Sequence, residues 1–171
     1  YVRYNHCSDD ADGTVANYAK EALARLDEGG LDRVIVDLRF NGGGNSALLD
    51  PFIGELASRE PFKKKGAVLV LTAAGTFSSA QLNANSLRKR CGAVVLGEPT
   101  GQKPNTYGEM RNFTLKNSKL QVTYSTKLFR TEEGDPESMT PDVLVEPTRD
   151  DVLAGRDPVL EAAAAYKPAP G

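Results

Sequence analysis

Blocks of apolar and polar residues divide the chain into buried strands and amphipathic helices. The runs LDRVIVDL (31–38), AVLVLT (67–72) and AVVL (93–96) are β-branched and apolar, and each predicts a buried strand. Apolar residues recur at helical spacing over 14–26, 48–58 and 79–90, which predicts a helix in each segment. This succession of strand, turn and helix predicts an α/β fold, in which helices flank a mostly parallel sheet.

The C-terminal half follows a different pattern. Residues 113–115 and 120–129 predict an antiparallel hairpin, short strands are predicted over 2–5 and 143–145, and Pro158 fits the first turn of a helix over 157–166. We see neither an internal repeat nor a linker. We therefore expect one domain over 1–166 and a loose, Pro- and Ala-rich tail over 167–171.

Composition narrows the classes of partner. The net charge is −2 without a basic excess, which argues against a nucleic-acid partner. No apolar run approaches the roughly 20 residues of a membrane span, and the first residue, Tyr1, suggests an excised domain or a processed product. Cys7 and Cys91 leave open a disulfide or two buried thiols. With one histidine and no ligand spacing, we expect no metal site.

The first segment that could support chemistry is DLRFNGGG (37–44). Glycines at the end of a buried strand can turn consecutive backbone N–H groups outward, and such groups stabilise an oxyanion. A tight strand-to-helix turn explains the same composition. A phosphate-binding loop is not expected, because no Gly-Lys-Ser/Thr follows.

The second segment is GTFSSAQ (75–81). Ser78 lies where a strand ends and a helix begins, which is where α/β folds expose reactive groups and where the helix dipole favours negative charge. The same residues also fit a capping box, in which the Ser78 side chain accepts a hydrogen bond from the N–H of Gln81.

The third segment is GEPTGQKP (97–104), which carries Lys103. An exposed lysine is inert, whereas a buried, neutral lysine can act as a base. The sole histidine, His6, is expected to be structural or on the surface.

Three segments in this order, VIVDLRFNGGG, LVLTAAGTFSSAQLNA and AVVLGEPTGQK, resemble the C-terminal processing (tail-specific) proteases, an S41-like family of serine peptidases. The resemblance extends over 31–147 and implies a Clp-protease/crotonase-like core and a polypeptide substrate, without cofactor or metal. It implies Ser78 as nucleophile and Lys103 as base, with an oxyanion hole from Gly43, Gly44 and the N–H of Ser79.

The resemblance also leaves two alternatives open. Relatives similar to the tricorn and chlamydial proteases use an upstream histidine and a downstream glutamate. The base would then precede residue 1, Glu137 or Asp135 would be the acid, and this fragment alone would be inactive. Other relatives resemble retinoid-binding proteins, which allows a non-catalytic peptide- or ligand-binding domain.

The rest of the expectations also come from the resemblance. The peptide-binding PDZ module of the family is not seen in these residues. Members are commonly extracytoplasmic in bacteria, so the resemblance suggests that location. It does not specify an oligomeric state.

Overall fold

The computed structural model describes residues 1–168 and confirms the α/β class. Its strands are β1 (Val2–Arg3), β2 (Val34–Asp37), β3 (Val68–Thr72), β4 (Val94–Gly97), β5 (Thr106–Thr114), β6 (Gln121–Phe129) and β7 (Val143–Leu144). Its α-helices are α1 (Val15–Asp27), α2 (Asp50–Ser58), α3 (Ser79–Cys91), α4 (Arg149–Leu153) and α5 (Pro158–Ala165). The sequence analysis missed α4, although Thr148 and Asp151 form a capping box at its start.

Five strands form one sheet in the order β1-β2-β3-β4-β7, and every neighbouring pair is parallel. The carboxyl ends of β2, β3 and β4 therefore lie at the same edge. Because these three strands carry the three recognised segments at that edge, the topology brings the segments together.

Hydrophobic side chains fill both faces of the sheet. On one face, alternate residues of β2, β3 and β4 pack in a cluster with α1, α2 and α3: Val34, Val36, Val68, Val70 and Val95. On the other face, the intervening residues pack with Val159 and Ala163 of α5: Leu69, Leu71, Val94 and Leu96. Burial on both faces explains why β3 and β4 have continuous apolar runs instead of an alternation.

Strands β5 and β6 form a separate two-stranded antiparallel sheet, as the hairpin pattern predicts. Strand β5 begins at Thr106, earlier than predicted, because pairing with β6 overrides the weak strand preference of Gly108 and Glu109. The register passes from Gly108 opposite Lys127 to Met110 opposite Ser125. Glu109, at φ 52°, and Thr126 opposite it are not paired, but the register is the same on both sides of them.

Three further expectations concern the whole chain. Cys7 and Cys91 are both buried and unpaired, which decides between the two alternatives for them. Within residues 1–168, no helix is long and apolar enough to cross a membrane. One domain over 1–166 stays a prediction, and residues 169–171 of the predicted tail lie outside the described part of the chain.

Candidate active site

The loop between β3 and α3 is attached to the end of β2. The hydroxyl of Thr76, which is fully buried, donates to Leu38 O at 2.9 Å. The N–H of Phe77 donates to Asn41 O at 3.0 Å. These bonds fix the position of Ser78, the last residue of the loop, next to the glycine turn that follows β2.

Ser78 has an unusual backbone conformation, with φ 52° and ψ −125°. A positive φ at a residue other than glycine costs on the order of 1–3 kcal/mol and is often found at functional sites. The Ser78 side chain makes no capping hydrogen bond, and the N–H groups of Gln81 and Leu82 donate to the Ser78 backbone oxygen instead. The capping-box interpretation is therefore wrong, and α3 does not use the Ser78 hydroxyl.

The glycine turn touches Ser78. Gly43 has φ 109°, and a Cβ atom placed on it would lie 2.7 Å from Ser78 Cβ and 3.0 Å from Ser79 N. Gly44 has φ 135°, and a Cβ atom there would overlap the backbone oxygen of Cys7. Both positions therefore require glycine for conformation and for space.

The amide groups of the predicted oxyanion hole differ in their hydrogen bonding. The Gly43 N–H donates to Asn41 Oδ1 at 2.9 Å, so it is already engaged. Among residues 1–168, no acceptor takes a hydrogen bond from the N–H of Gly44 or Ser79. The Ser79 hydroxyl donates to Gly44 O at 2.6 Å, which links the two residues. Gly44 and Ser79 thus offer two available donors beside Ser78.

The sequence analysis overlooked Asn41, which organises the glycine turn. Asn41 is fully buried. Its Nδ2 donates to Tyr4 O at 2.8 Å, while its Oδ1 accepts from Gly43 N–H. An asparagine whose side chain bonds the backbone two residues later is an Asx turn, so its place before three glycines was the available signal.

Gln102 was also overlooked. Its Oε1 accepts a hydrogen bond from the Ser78 backbone N–H at 2.8 Å. The residue belongs to the third recognised segment, but no spacing rule connects a glutamine side chain there to Ser78. Only the parallel packing of β3 beside β4 brings the two residues into contact.

Ser78 opens into a cleft of about 850 Å³ between the glycine turn and the β5–β6 hairpin. The hairpin wall includes Met110, Phe129 and Lys127, whose Nζ lies 3.4 Å from Glu109 Oε1. The volume lies within the range of ligand-binding clefts, and the wall combines apolar surface with a few charges.

Lys103 is partly exposed and ion-paired. Its Nζ lies 2.8 Å from Glu137 Oε1 and 3.2 Å from Asp135 Oδ2, and its side chain is 39% exposed. The hydrogen bonds that Lys103 donates to Glu137, and next to Asp135, raise the pKa of Lys103 above its ordinary value. Lys103 does not line the cleft of Ser78. The condition that the sequence analysis set for a lysine base, burial in the neutral form, is not met in this structure.

Other reactive side chains contribute little at this site. His6 is exposed and does not line the cleft. Burial raises the pKa of the thiols of Cys7 and Cys91, which makes both poor nucleophiles. Among residues 1–168, no group of three or more His, Cys, Asp or Glu side chains is placed to hold a metal ion.

A network of ion pairs supports the end of β2. Arg39 makes paired hydrogen bonds to Asp37 and to Asp157, with distances from 2.7 to 3.0 Å, and Tyr1 donates to Asp37 at 2.6 Å. Burial alone would raise the pKa of Asp37, but the bonds from Arg39 and Tyr1 outweigh it and lower that pKa. Hydrogen bonds from Arg39 also lower the pKa of Asp157.

Comparison with known proteins shows what the chain resembles. No family model matches it, and no curated protein matches it. Among solved structures, a protein from Parabacteroides merdae described as a peptidase is 21% identical, with a TM-score of 0.70 over 95% of this chain. The tricorn protease is 20% identical, with a TM-score of 0.65 over 96% of this chain. The photosystem II D1 C-terminal processing protease is 16% identical, with a TM-score of 0.52 over 85% of this chain.

These neighbours confirm the predicted fold. Over the aligned residues, the chain has the same α/β fold as the D1 processing protease and the tricorn protease. It spans 59% of the Parabacteroides protein, 42% of the D1 protease and 17% of tricorn, so it corresponds to one part of each.

Proposed function

We propose that this chain is the catalytic core of a serine peptidase, which hydrolyses peptide bonds through an acyl-enzyme on Ser78. One observation carries the proposal. Ser78 has a strained backbone conformation beside the glycine turn, and its hydroxyl makes no capping hydrogen bond to α3. A strained strand-to-helix turn that presents a serine next to available amides is the arrangement needed for acyl transfer.

The chemistry follows from this arrangement. A base removes the hydroxyl proton as Ser78 Oγ attacks the carbonyl carbon of the scissile bond. The electron pair moves to the carbonyl oxygen, which accepts hydrogen bonds from the N–H groups of Gly44 and Ser79. Each donor of this kind contributes about 2.7–4 kcal/mol to the stability of the transition state. The C–N bond then breaks and the amine leaves with the proton, after which water hydrolyses the ester and restores Ser78.

The identity of the base distinguishes two versions of the proposal. Lys103 as base requires the neutral form, but its ion pairs with Glu137 and Asp135 favour the charged form. We therefore favour the second version, in which the base is a histidine from a segment that precedes residue 1. In that version, Glu137 or Asp135 breaks its ion pair with Lys103 and orients the histidine instead.

Labelling with a fluorophosphonate tests the nucleophile. Phosphonylation forms a P–O bond to an activated serine and releases fluoride. In a longer protein that includes this histidine, we expect the probe to label Ser78 and Ser78→Ala to lose the label, whereas Ser58→Ala, at an exposed serine, keeps it. Peptide mapping by mass spectrometry locates the label.

Two outcomes would contradict the proposal. Equal labelling of Ser78→Ala would exclude Ser78 as the nucleophile. Binding of peptides in the cleft without labelling or cleavage, even in a longer protein, would show a binding domain instead of a peptidase.

A further inference from the structure

The backbone N–H of Ser78 has an unexpected partner. In a capping box, the residue three positions into the helix bonds back to the N–H of the capping residue, and that residue is Gln81 here. Gln81 is instead turned towards Thr100, whose hydroxyl lies 3.2 Å from Gln81 Oε1. The Ser78 N–H goes to Gln102, which lies on a different loop. Gln102, from another loop, thus takes the place that Gln81 would have in a capping box.

This replacement has a chemical consequence. In a capping box, the serine hydroxyl also bonds to the helix and is no longer available for catalysis. A tertiary partner satisfies the Ser78 N–H and leaves the hydroxyl out of the cap. Since an L residue rarely adopts φ 52°, the conformation needs such a contact to persist.

The loop that carries Gln102 is itself held against the nucleophile turn. The Gly101 N–H donates to Thr76 O at 3.3 Å, and a Cβ atom on Gly101 would overlap the backbone oxygen of Ala74. Thr100 is buried, and its Oγ1 accepts from the Met139 N–H at 3.0 Å. The backbone before Gln102 therefore has little conformational freedom. This rigidity holds the Gln102 side chain in place for its hydrogen bond with Ser78.

We propose that Gln102 is a positioning residue, which holds Ser78 in its strained conformation by accepting the Ser78 N–H and so keeps the hydroxyl available for attack. This inference rests on the function proposed above. Gln102 acts through Ser78 and is not itself assigned a step in bond making or breaking.

Three variants test the proposal. Gln102→Met keeps the length of the side chain and removes the acceptor, whereas Gln102→Glu keeps an acceptor oxygen. Gln121→Met is the matched control, because Gln121 is exposed and does not line the cleft.

Amide hydrogen exchange, measured by NMR, reports the hydrogen bond directly. We expect exchange at the Ser78 N–H to become about three- to tenfold faster in Gln102→Met, the factor expected for one neutral hydrogen bond. Gln102→Glu should keep the slow exchange, and Gln121→Met should not change it. This readout does not depend on catalysis.

Phosphonylation kinetics report the effect on the nucleophile. We expect the maximal labelling rate of Ser78 to fall about tenfold or more in Gln102→Met, while the probe concentration at half-maximal rate stays the same. If Gln102 only stabilised the fold, Gln102→Met would lower the urea concentration at the midpoint of unfolding. The molecules that stay folded would then be labelled at the native rate.

The outcomes separate this inference from the proposed function. Unchanged exchange and labelling in Gln102→Met, together with loss of labelling in Ser78→Ala, would overturn the role of Gln102 and keep the peptidase. Labelling of Ser78→Ala at the native rate would overturn the peptidase, whatever the exchange data show. Should Gln102→Met fail to fold, a fast Ser78 amide in Gln102→Glu would by itself overturn the inference.

Discussion

At the scale of single residues, the site depends on glycines, which leave room for Ser78 because they have no side chain. Gly43 and Gly42 are neighbours in the same turn, yet only Gly43 has a positive φ and a close contact with Ser78. A Cβ atom on Gly42 would meet no atom within 4 Å. The two positions therefore separate the effect of a side chain at the nucleophile from the general effect of replacing a glycine in the turn.

We expect Gly43→Ala to lower the rate of Ser78 phosphonylation at least about 100-fold, because the new methyl group displaces Ser78 or the Ser79 N–H by several tenths of an ångström. The strain should also lower the free energy of unfolding by about 1–3 kcal/mol. Labelling rates and urea unfolding provide the measurements. Gly42→Ala is the control, with both values near those of the native chain; equal rates in the two variants would contradict the assigned contact.

At the scale of secondary-structure elements, Arg39 joins β2 to α5. It binds Asp37 at the end of β2 and Asp157, which caps α5 by accepting the Leu160 N–H. Asp37 is 1% exposed, so its charge is stable only while Arg39 compensates it. The glycine turn begins at Gly42, three residues after Arg39, so this connection also supports the site.

The sign of the pH dependence follows from the lowered pKa values of Asp37 and Asp157. A carboxylate with a lowered pKa in the folded state contributes stability above its unfolded pKa of about 3.9, and this contribution is lost as the pH falls through the folded pKa. Urea unfolding should therefore show stability decreasing below about pH 4.

We expect Arg39→Met to cost about 3–5 kcal/mol at pH 7, because it leaves a buried, unpaired carboxylate. The cost should become smaller at about pH 3, where that carboxyl is neutral. Urea unfolding of both proteins at the two pH values measures the difference. Arg59→Met, which removes two ion pairs to the exposed carboxylates of Asp27 and Glu55, should cost less than about 1 kcal/mol. A cost for Arg39→Met that does not change with pH would exclude the charge explanation.

At the scale of the whole molecule, the question is whether one chain holds all the catalytic groups. The sheet edge supplies a serine, two available amides and a cleft, and the hairpin supplies a wall of that cleft. The lysine aligned with the base of the resembled family instead forms ion pairs with Asp135 and Glu137.

We expect Lys103→Met to keep the labelling rate of Ser78 within about threefold across pH 6–9, because a lysine held in the charged form does not accept a proton. Lys116→Met, at an exposed position of the hairpin turn, is the matched control. Labelling rates across that pH range provide the measurement. A loss of more than about 100-fold in Lys103→Met alone would instead identify Lys103 as the base and overturn our preference for a histidine.

The order and type of most elements could be predicted from the pattern of apolar residues, because this pattern reflects which residues are buried. The double-sided burial of β3 and β4, the α/β class and the placing of Ser78 at a strand-to-helix turn could all be predicted this way. Helix α4 and the first half of β5 could not. The former is only five residues long, and Gly108 and Glu109 of the latter are weak strand formers that pairing with β6 overrides.

The side chains that serve the site are set by contacts that form only in the folded protein. Whether the Ser78 hydroxyl caps its helix depends on Gln102, which comes from a loop 24 positions away in sequence. Whether Lys103 is neutral or charged depends on Asp135 and Glu137, which reach it across the fold. Hydrogen bonds and ion pairs act over a few ångströms in space. The state of the Ser78 hydroxyl and the charge of Lys103 are therefore set by contacts between distant segments, and such contacts leave no periodic signal in the sequence.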